Sequence, residues 1–179
     1  MGWIDTVTKW IAGKPQDDFP NSATMQSALS ARVFRANGTV EDRGVVARKC
    51  VTNEGAYQLA LGFTASGSCT IYNFKYHCAG YATAAETLND TQAAITNAAG
   101  CNSIATGTQL ASLITPHALY RTVGTINFGN SFAITEHGII DGTTKASAKL
   151  WDRSVFGAIT VASGDSIEFT YDLTIQAGG

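Results

Sequence analysis

The sequence predicts a mainly β protein: an antiparallel β-sandwich, with the jelly roll as one form of it, preceded by a short N-terminal helix and arm. Three observations carry that prediction. From Asp165 onward, Ile167, Phe169, Tyr171, Leu173 and Ile175 share one parity, while Glu168, Thr170, Asp172 and Thr174 share the other. Side chains alternate across a strand, so this is a strand with one apolar and one wetted face. Turn signals recur between short β-branched runs, at Gly129-Asn130, Asp141-Gly142 and Ser163-Gly164-Asp165, as expected of a sandwich. Asn37-Gly38, between two strand-like runs, is the dipeptide best suited to a two-residue type I′ hairpin turn.

In chain order, Met1 to Ala12 places Trp3, Ile4, Val7, Trp10 and Ile11 near helical spacing, ahead of the breaker Gly13-Lys14-Pro15. A helix this short is marginal alone and is expected to dock on the body or a neighbouring subunit. With only Lys9 and Lys14 as basic residues, a membrane-surface anchor is the weaker reading. Residues 1–28 are therefore assigned to an N-terminal arm and residues 29–179 to the sandwich. The body opens with the hairpin of Ala31–Ala36 and Val40–Val51. Thr52–Phe63 reads as a short helix with Tyr57, Leu59 and Leu61 inward, strand being the rival, and Cys69–Tyr76 reads as a strand. Residues 79–118, rich in Ala, Thr, Asn and Gly, show no firm periodicity. Leu119–Phe128, Ser131–Ile140, Lys149–Phe156 and Ile159–Ile175 read as successive strands.

The 179 residues are 45% hydrophobic and only 15% charged, below the usual quarter, which suggests that partners cover part of the surface. A net charge of −2 argues against a nucleic-acid binder that relies on phosphate neutralisation. Charge is uneven: Arg32, Arg35, Arg43, Arg48 and Lys49 face only Glu41 and Asp42 within residues 32–49, a local +3. That stretch is either a solvated hairpin face or a docking patch for an acidic protein surface. Met1 to Gly13 lacks a basic leader, so the chain is expected to be made and used without secretion. Cys50, Cys69, Cys78 and Cys101 contain no CxxC pair; free buried thiols are expected, with a bridge such as Cys78–Cys101 as the alternative. A zinc site with His77 is disfavoured because His77 and Cys78 would face opposite ways.

No nucleophile-elbow, zinc-protease or phosphate-loop motif occurs. Glu136-His137 is the nearest approach to an acid beside a base, but on a strand the two point apart. Glu136 should share a face with Phe132 and Ile134, as a structural carboxylate bonded to backbone or to Arg153. Trp151-Asp152-Arg153 is either a recognition surface or a structural salt-bridge corner. No catalytic, cofactor or metal residue is assigned.

Several segments in order, namely Ala31-Arg-Val-Phe-Arg-Ala-Asn-Gly38, Val51-Thr-Asn-Glu-Gly55, Asn73-Phe-Lys-Tyr-His-Cys-Ala-Gly80, Thr106-Gly-Thr-Gln109, Tyr120-Arg-Thr-Val-Gly-Thr-Ile126 through Ala133-Ile-Thr-Glu-His-Gly-Ile139, Leu150-Trp-Asp-Arg-Ser-Val-Phe156 and Gly164-Asp-Ser-Ile-Glu-Phe-Thr-Tyr171, resemble small virion structural proteins of tailed bacteriophages. The resemblance spans residues 31–179 and implies a particle component made in the host cytoplasm. Together with the arm, it leads to the expectation of a capsid decoration or cement protein. Such a protein would bind the outside of the major capsid protein shell as a homo-oligomer, a trimer by preference. Trp3, Ile4, Val7, Trp10 and Ile11 would make the contact, with Arg43, Arg48 and Lys49 as lesser candidates and neither nucleic acid nor membrane as partner. The alternative is a tail or fibre component binding host-surface glycans or other tail proteins.

Overall fold

The computed structural model describes residues 23–48, 51–64, 71–91 and 104–176. The expected helix of residues 1–12, with Trp3, Ile4, Val7, Trp10 and Ile11, lies outside them, as does Lys49. Among the described residues, nine strands and one α-helix follow in order: β1 (Thr24–Phe34), β2 (Val40–Ala47), α1 (Asn53–Gly62), β3 (Tyr76–Gly80), β4 (Ala105–Thr106), β5 (Thr108–Ile114), β6 (His117–Asn127), β7 (Phe132–Ile140), β8 (Leu150–Val161) and β9 (Ser166–Gln176). Every strand pairing is antiparallel, in a five-stranded sheet ordered β2-β1-β9-β6-β5 and a four-stranded sheet ordered β4-β3-β7-β8.

The two sheets share one core, with Leu29, Val33, Ile126, Ile167, Phe169 and Tyr171 on one side and Ile134, Ile139, Trp151, Phe156, Ile159 and Val161 on the other. Phe169 stacks on both His137 and Phe156 across the gap, with ring centroids 4.5 Å and 6.2 Å away. This is the sandwich that the alternation in β9 predicts, with Ile167, Phe169, Tyr171 and Leu173 all buried. The order does not establish a jelly roll: the consecutive pairs β1-β2, β5-β6 and β7-β8 each stay within one sheet.

Four local expectations change. Thr24 through Ala28, assigned above to the arm, pair with Gln176 through Asp172 of β9, so the sheet starts at Thr24. At the first hairpin the Gly38 N–H donates to the Arg35 carbonyl and the Arg35 N–H to the Thr39 carbonyl. These bonds close a three-residue loop, in which Gly38 takes φ +86°, instead of the two-residue type I′ turn. Cys69–Tyr76 is not one strand: Ile71–Asn73 form a 3₁₀ turn and β3 begins at Tyr76. β8 runs without a break through Gly157 to Val161, where two strands were expected.

The helix forms where expected, its first turn capped by the Thr52 hydroxyl accepting from the Gly55 N–H at 3.0 Å. Its buried residues are Gly55 and Gln58, however, and Tyr57 is exposed. The contact explains this: a Cβ on Gly55 would lie 2.6 Å from the Trp151 carbonyl oxygen, so only glycine lets the helix approach β8 so closely, and Tyr57 turns outward. Cys78 corrects the free-thiol expectation. It is disulfide-bonded to a partner outside the described residues, and is buried beside Ile140, Ala148 and Leu150.

Candidate functional site: an apolar groove and a neutral sheet edge

The register of the five-stranded sheet lines up its inward-facing side chains in rows. Tyr120 and Thr122 point inward, since the Tyr120 hydroxyl donates to the Phe74 carbonyl at 2.7 Å and Thr122 sits 3.2 Å from His77. Their partners Ala111 and Gln109 therefore point inward too, as does Leu113 opposite Ala118. The last inward row of the sheet reads Met25, Ile175, Ala118, Leu113 across β1, β9, β6 and β5. The second sheet does not extend over it: Met25 and Ile175 are half-buried, while Ala118 and Leu113 are exposed. One row further in, α1 and the 3₁₀ turn form a wall, leaving a groove of about 420 Å³ lined by Leu59, Ile71, Phe74, Tyr120, Leu173 and Ile175 among others. Tyr72, 65% exposed, forms its lip.

Among the described residues, β5 is an edge strand of its sheet, beside this groove. Leu110 is 54%, Leu113 80% and Ile114 53% exposed on a strand without a charged residue. Exposed apolar side chains grouped in this way make it a candidate interaction surface. It falls within the stretch where no periodicity was legible, because an edge strand wetted on both faces has no alternation to display.

The polar residues singled out in the sequence lie elsewhere. β7 and β8 are irregular near Thr135, so Ile134 and His137 both reach the core while Glu136 turns to the outer face, correcting the expectation that Glu136 shares a face with Ile134. There Glu136 accepts from Arg153 Nε at 3.0 Å and Nη2 at 2.9 Å, and from the Ala82 N–H at 2.9 Å, bonding to both Arg153 and backbone as expected. Arg153 also donates to Asp90 at 2.9 Å and to the Ala84 carbonyl at 3.2 Å, stapling residues 82–90 onto the sheet. The Asp90 carboxyl is held below its usual range, the hydrogen bonds from Thr87 and Arg153 outweighing its burial.

Trp151, Asp152 and Arg153 are all buried, which favours the structural reading of that triplet. Trp151 Nε1 donates to the Tyr171 hydroxyl at 2.9 Å, and the Asp152 carboxylate accepts from Ser27 at 2.8 Å and Ser154 at 3.1 Å. Burial pushes the Asp152 pKa up to about 6 against these hydrogen bonds.

The pairing of His77 with His137, 3.0 Å apart between Nδ1 and Nε2, joins positions 60 residues apart and had no sequence signal. Both imidazoles are buried, and burial drives both pKa values down, that of His77 to about 3. Gly124 makes room for them: its Cβ would sit 2.5 Å from His77 Cδ2. Gly124→Ala is therefore expected to cost about 1–3 kcal/mol by overpacking, read from the denaturant midpoint; an unchanged midpoint would show that His77 can step aside. Among the described residues, no group of three His, Cys, Asp or Glu side chains is placed to hold a metal, and no helix is long and apolar enough to cross a membrane.

The basic stretch is largely spent within the fold. Arg35 bridges Glu41 and Asp165 at 2.6 Å and 2.9 Å, Arg43 meets Glu41 at 2.5 Å, and Arg32 meets Glu168 at 3.3 Å. Asp165 also accepts from the Ala36 and Ala162 N–H groups, tying the first hairpin loop to the β8–β9 turn. Arg48 is exposed at the rim of a second pocket, of about 560 Å³, whose lining includes Ser27, Thr52, Glu86 and Arg153 beside Met25 and Leu88. Arg43 and Arg48 thus lie in different surroundings and do not form one patch. No family model matches this chain, and neither the curated proteins nor the solved structures include a match.

Proposed function

We propose that this protein is a virion structural component of a tailed bacteriophage, a capsid cement protein that adheres to the outside of the major capsid protein shell and stabilises it. The observation that carries the reading is the apolar row Met25–Ile175–Ala118–Leu113, half-buried at Met25 and Ile175 and exposed at Ala118 and Leu113, with its adjoining groove, an adhesive surface at one end of the sandwich. The resemblance of residues 31–179 supports the particle context. A protein that binds only the assembled shell stabilises that state through mass action, without chemistry. The arm acts as a tether in this reading, Trp3, Ile4, Val7, Trp10 and Ile11 adding contact area and effective concentration, with Arg43, Arg48 and Lys49 as secondary contacts.

Two variants test it by occupancy on purified shells, read by quantitative gel or density map. Deleting residues 1–22 should lower occupancy while the body stays folded. Deleting residues 1–28 should also unfold the body, because it removes Met25, Ser27 and the β9 partners between them. Ala118→Glu should weaken shell binding at least about tenfold by placing a charge in an apolar contact. Full occupancy by both the 1–22 deletion and the glutamate variant would refute the proposal. The second reading, a tail or fibre component binding host glycans, is favoured by Tyr72 at the groove lip beside Gln109, an aromatic platform next to a hydrogen-bonding amide. Glycan-array binding lost in Tyr72→Ala would support it over the first.

A further inference from the structure

We propose that β5 is a homodimer edge, pairing antiparallel with β5 of a second copy about a two-fold axis through Ser112. A sheet edge exposes unpaired N–H and C=O groups, and proteins commonly guard edges with charge, bulges or brevity. The other edges of this fold are guarded. β2 carries Glu41, Asp42 and Arg43, has Gly44 at φ +58°, and pairs with β1 through register shifts. β4 is two residues long. β8 is covered by the helix entry, where the Thr52 N–H donates to the Trp151 carbonyl and Val51 bridges Asp152. Among the described residues β5 has no such guard: its seven residues are uncharged, their register with β6 is unbroken, and three large apolar side chains are exposed.

A second copy is the occupant that the strand's own chemistry favours. A neutral strand meets no like charge when laid antiparallel on itself, and the nearest charge on its outer face, Arg121 opposite Leu110, is already neutralised by Asp172 at 2.6 Å and 2.7 Å. The alternation of faces restricts the register, because residues opposite one another must lie on the same face of the joint sheet. Leu110, Ser112 and Ile114 face outward; Gln109, Ala111 and Leu113 face inward. Centring on Ser112 sets Leu110 against Ile114 twice and Ala111 against Leu113 twice, so every exposed apolar side chain of the strand finds an apolar partner. Centring on Ala111 instead sets Leu110 against Ser112 and Leu113 against Gln109. The Ser112 register therefore wins, joining two five-stranded sheets into one of ten strands. A self-complementary edge closes with two-fold symmetry, so the pairing is a dimer where the sequence alone suggested a trimer.

Sedimentation velocity on the full chain, without shells, tests this independently of the proposed function. The full chain should show a concentration-dependent dimer. Ser112→Lys and Ser112→Asp, each placing a charge opposite its own copy, should both be monomeric with unchanged circular dichroism. An equimolar mixture of the two should dimerise again, because lysine then faces aspartate. Leu110→Lys, at an exposed position, is the second monomerising variant should a Ser112 substitution impair folding. The proposal is overturned by a full chain that is monomeric at all concentrations, by a trimer, by a dimer indifferent to Ser112 and Leu110, or by dimers that form only after residues 1–22 are deleted. The last outcome would mean that the chain's own N-terminal segment covers the strand.

Discussion

Arg153→Met is expected to destabilise the protein by about 3–5 kcal/mol, because it strips the guanidinium from a fully buried carboxylate. Glu136 is 0% exposed, and Arg153 supplies two of its hydrogen bonds while also holding Asp90 and the Ala84 carbonyl. The methionine stem fills part of the volume but donates nothing, so charge is left in a site that water cannot reach. For a domain of this size the loss corresponds to a fall in Tm of about 10 °C. It should be accompanied by faster proteolysis within residues 82–90, which the same arginine pins to β7 and β8. Removing both members gives the internal control. Arg153→Met with Glu136→Met should lose less than Arg153→Met alone, since a buried ion pair replaced as a unit leaves no orphan charge. A single variant as stable as the parent in urea would mean that the outer face of β7 hydrates freely.

Acid should loosen the fold well above the pH at which most carboxylates protonate. His77 and His137 are held neutral by burial in the folded protein, but in the unfolded chain they titrate near the ordinary value of 6.5. A base whose folded pKa is depressed contributes stability that is fully present above its unfolded pKa and is lost as pH falls below it, the loss for His77 continuing down to about 3. At pH 5 His77 accounts for about 2 kcal/mol of lost stability, and His137, shifted in the same direction, adds to the loss. Asp152 works against this. Its folded pKa is raised to about 6, so the folded state takes up a proton on acidification before the unfolded chain does, returning about 1.4 kcal/mol by pH 5. The net expectation is a loss of stability between pH 7 and pH 5, the two histidines outweighing Asp152, measured as the drop in urea midpoint. In Asp152→Asn the opposing contribution is gone and the decline should steepen below pH 6. A flat midpoint from pH 7 to pH 5 in both proteins would mean that the imidazoles accept protons in place.

The parts of the fold legible in the sequence share one cause, a buried face next to a wetted one. β9 is covered by the opposite sheet along one face, so its alternation survives in the residues themselves, and β6 and β7 were located within two residues at each end. The helix of Asn53–Gly62 was placed from the spacing of Tyr57, Leu59 and Leu61, with strand as its rival, while the face it buries was misjudged because a close approach to β8 required Gly55 in place of a large apolar residue. Thr24–Ala28 were read as linker because four of the five, Met25 aside, are small or polar and the apolar side chains they meet belong to β9. The partner of a strand is not written in the strand.

The candidate surface was still less legible. Leu110, Leu113 and Ile114 are ordinary core-forming residues by composition, and only the sheet order, which leaves β5 at an edge, turns them into exposed ones. The basic residues of 32–49 looked like a patch because their carboxylate partners Asp165 and Glu168 are more than a hundred positions away. By itself the sequence determined the class of fold and the position of its main strands, because alternation and turn chemistry act over a few residues. Only the tertiary structure decided which strands lie at the edges, which charges are already matched, and that two distant histidines share one dry site, because each depends on pairings between segments far apart in the chain.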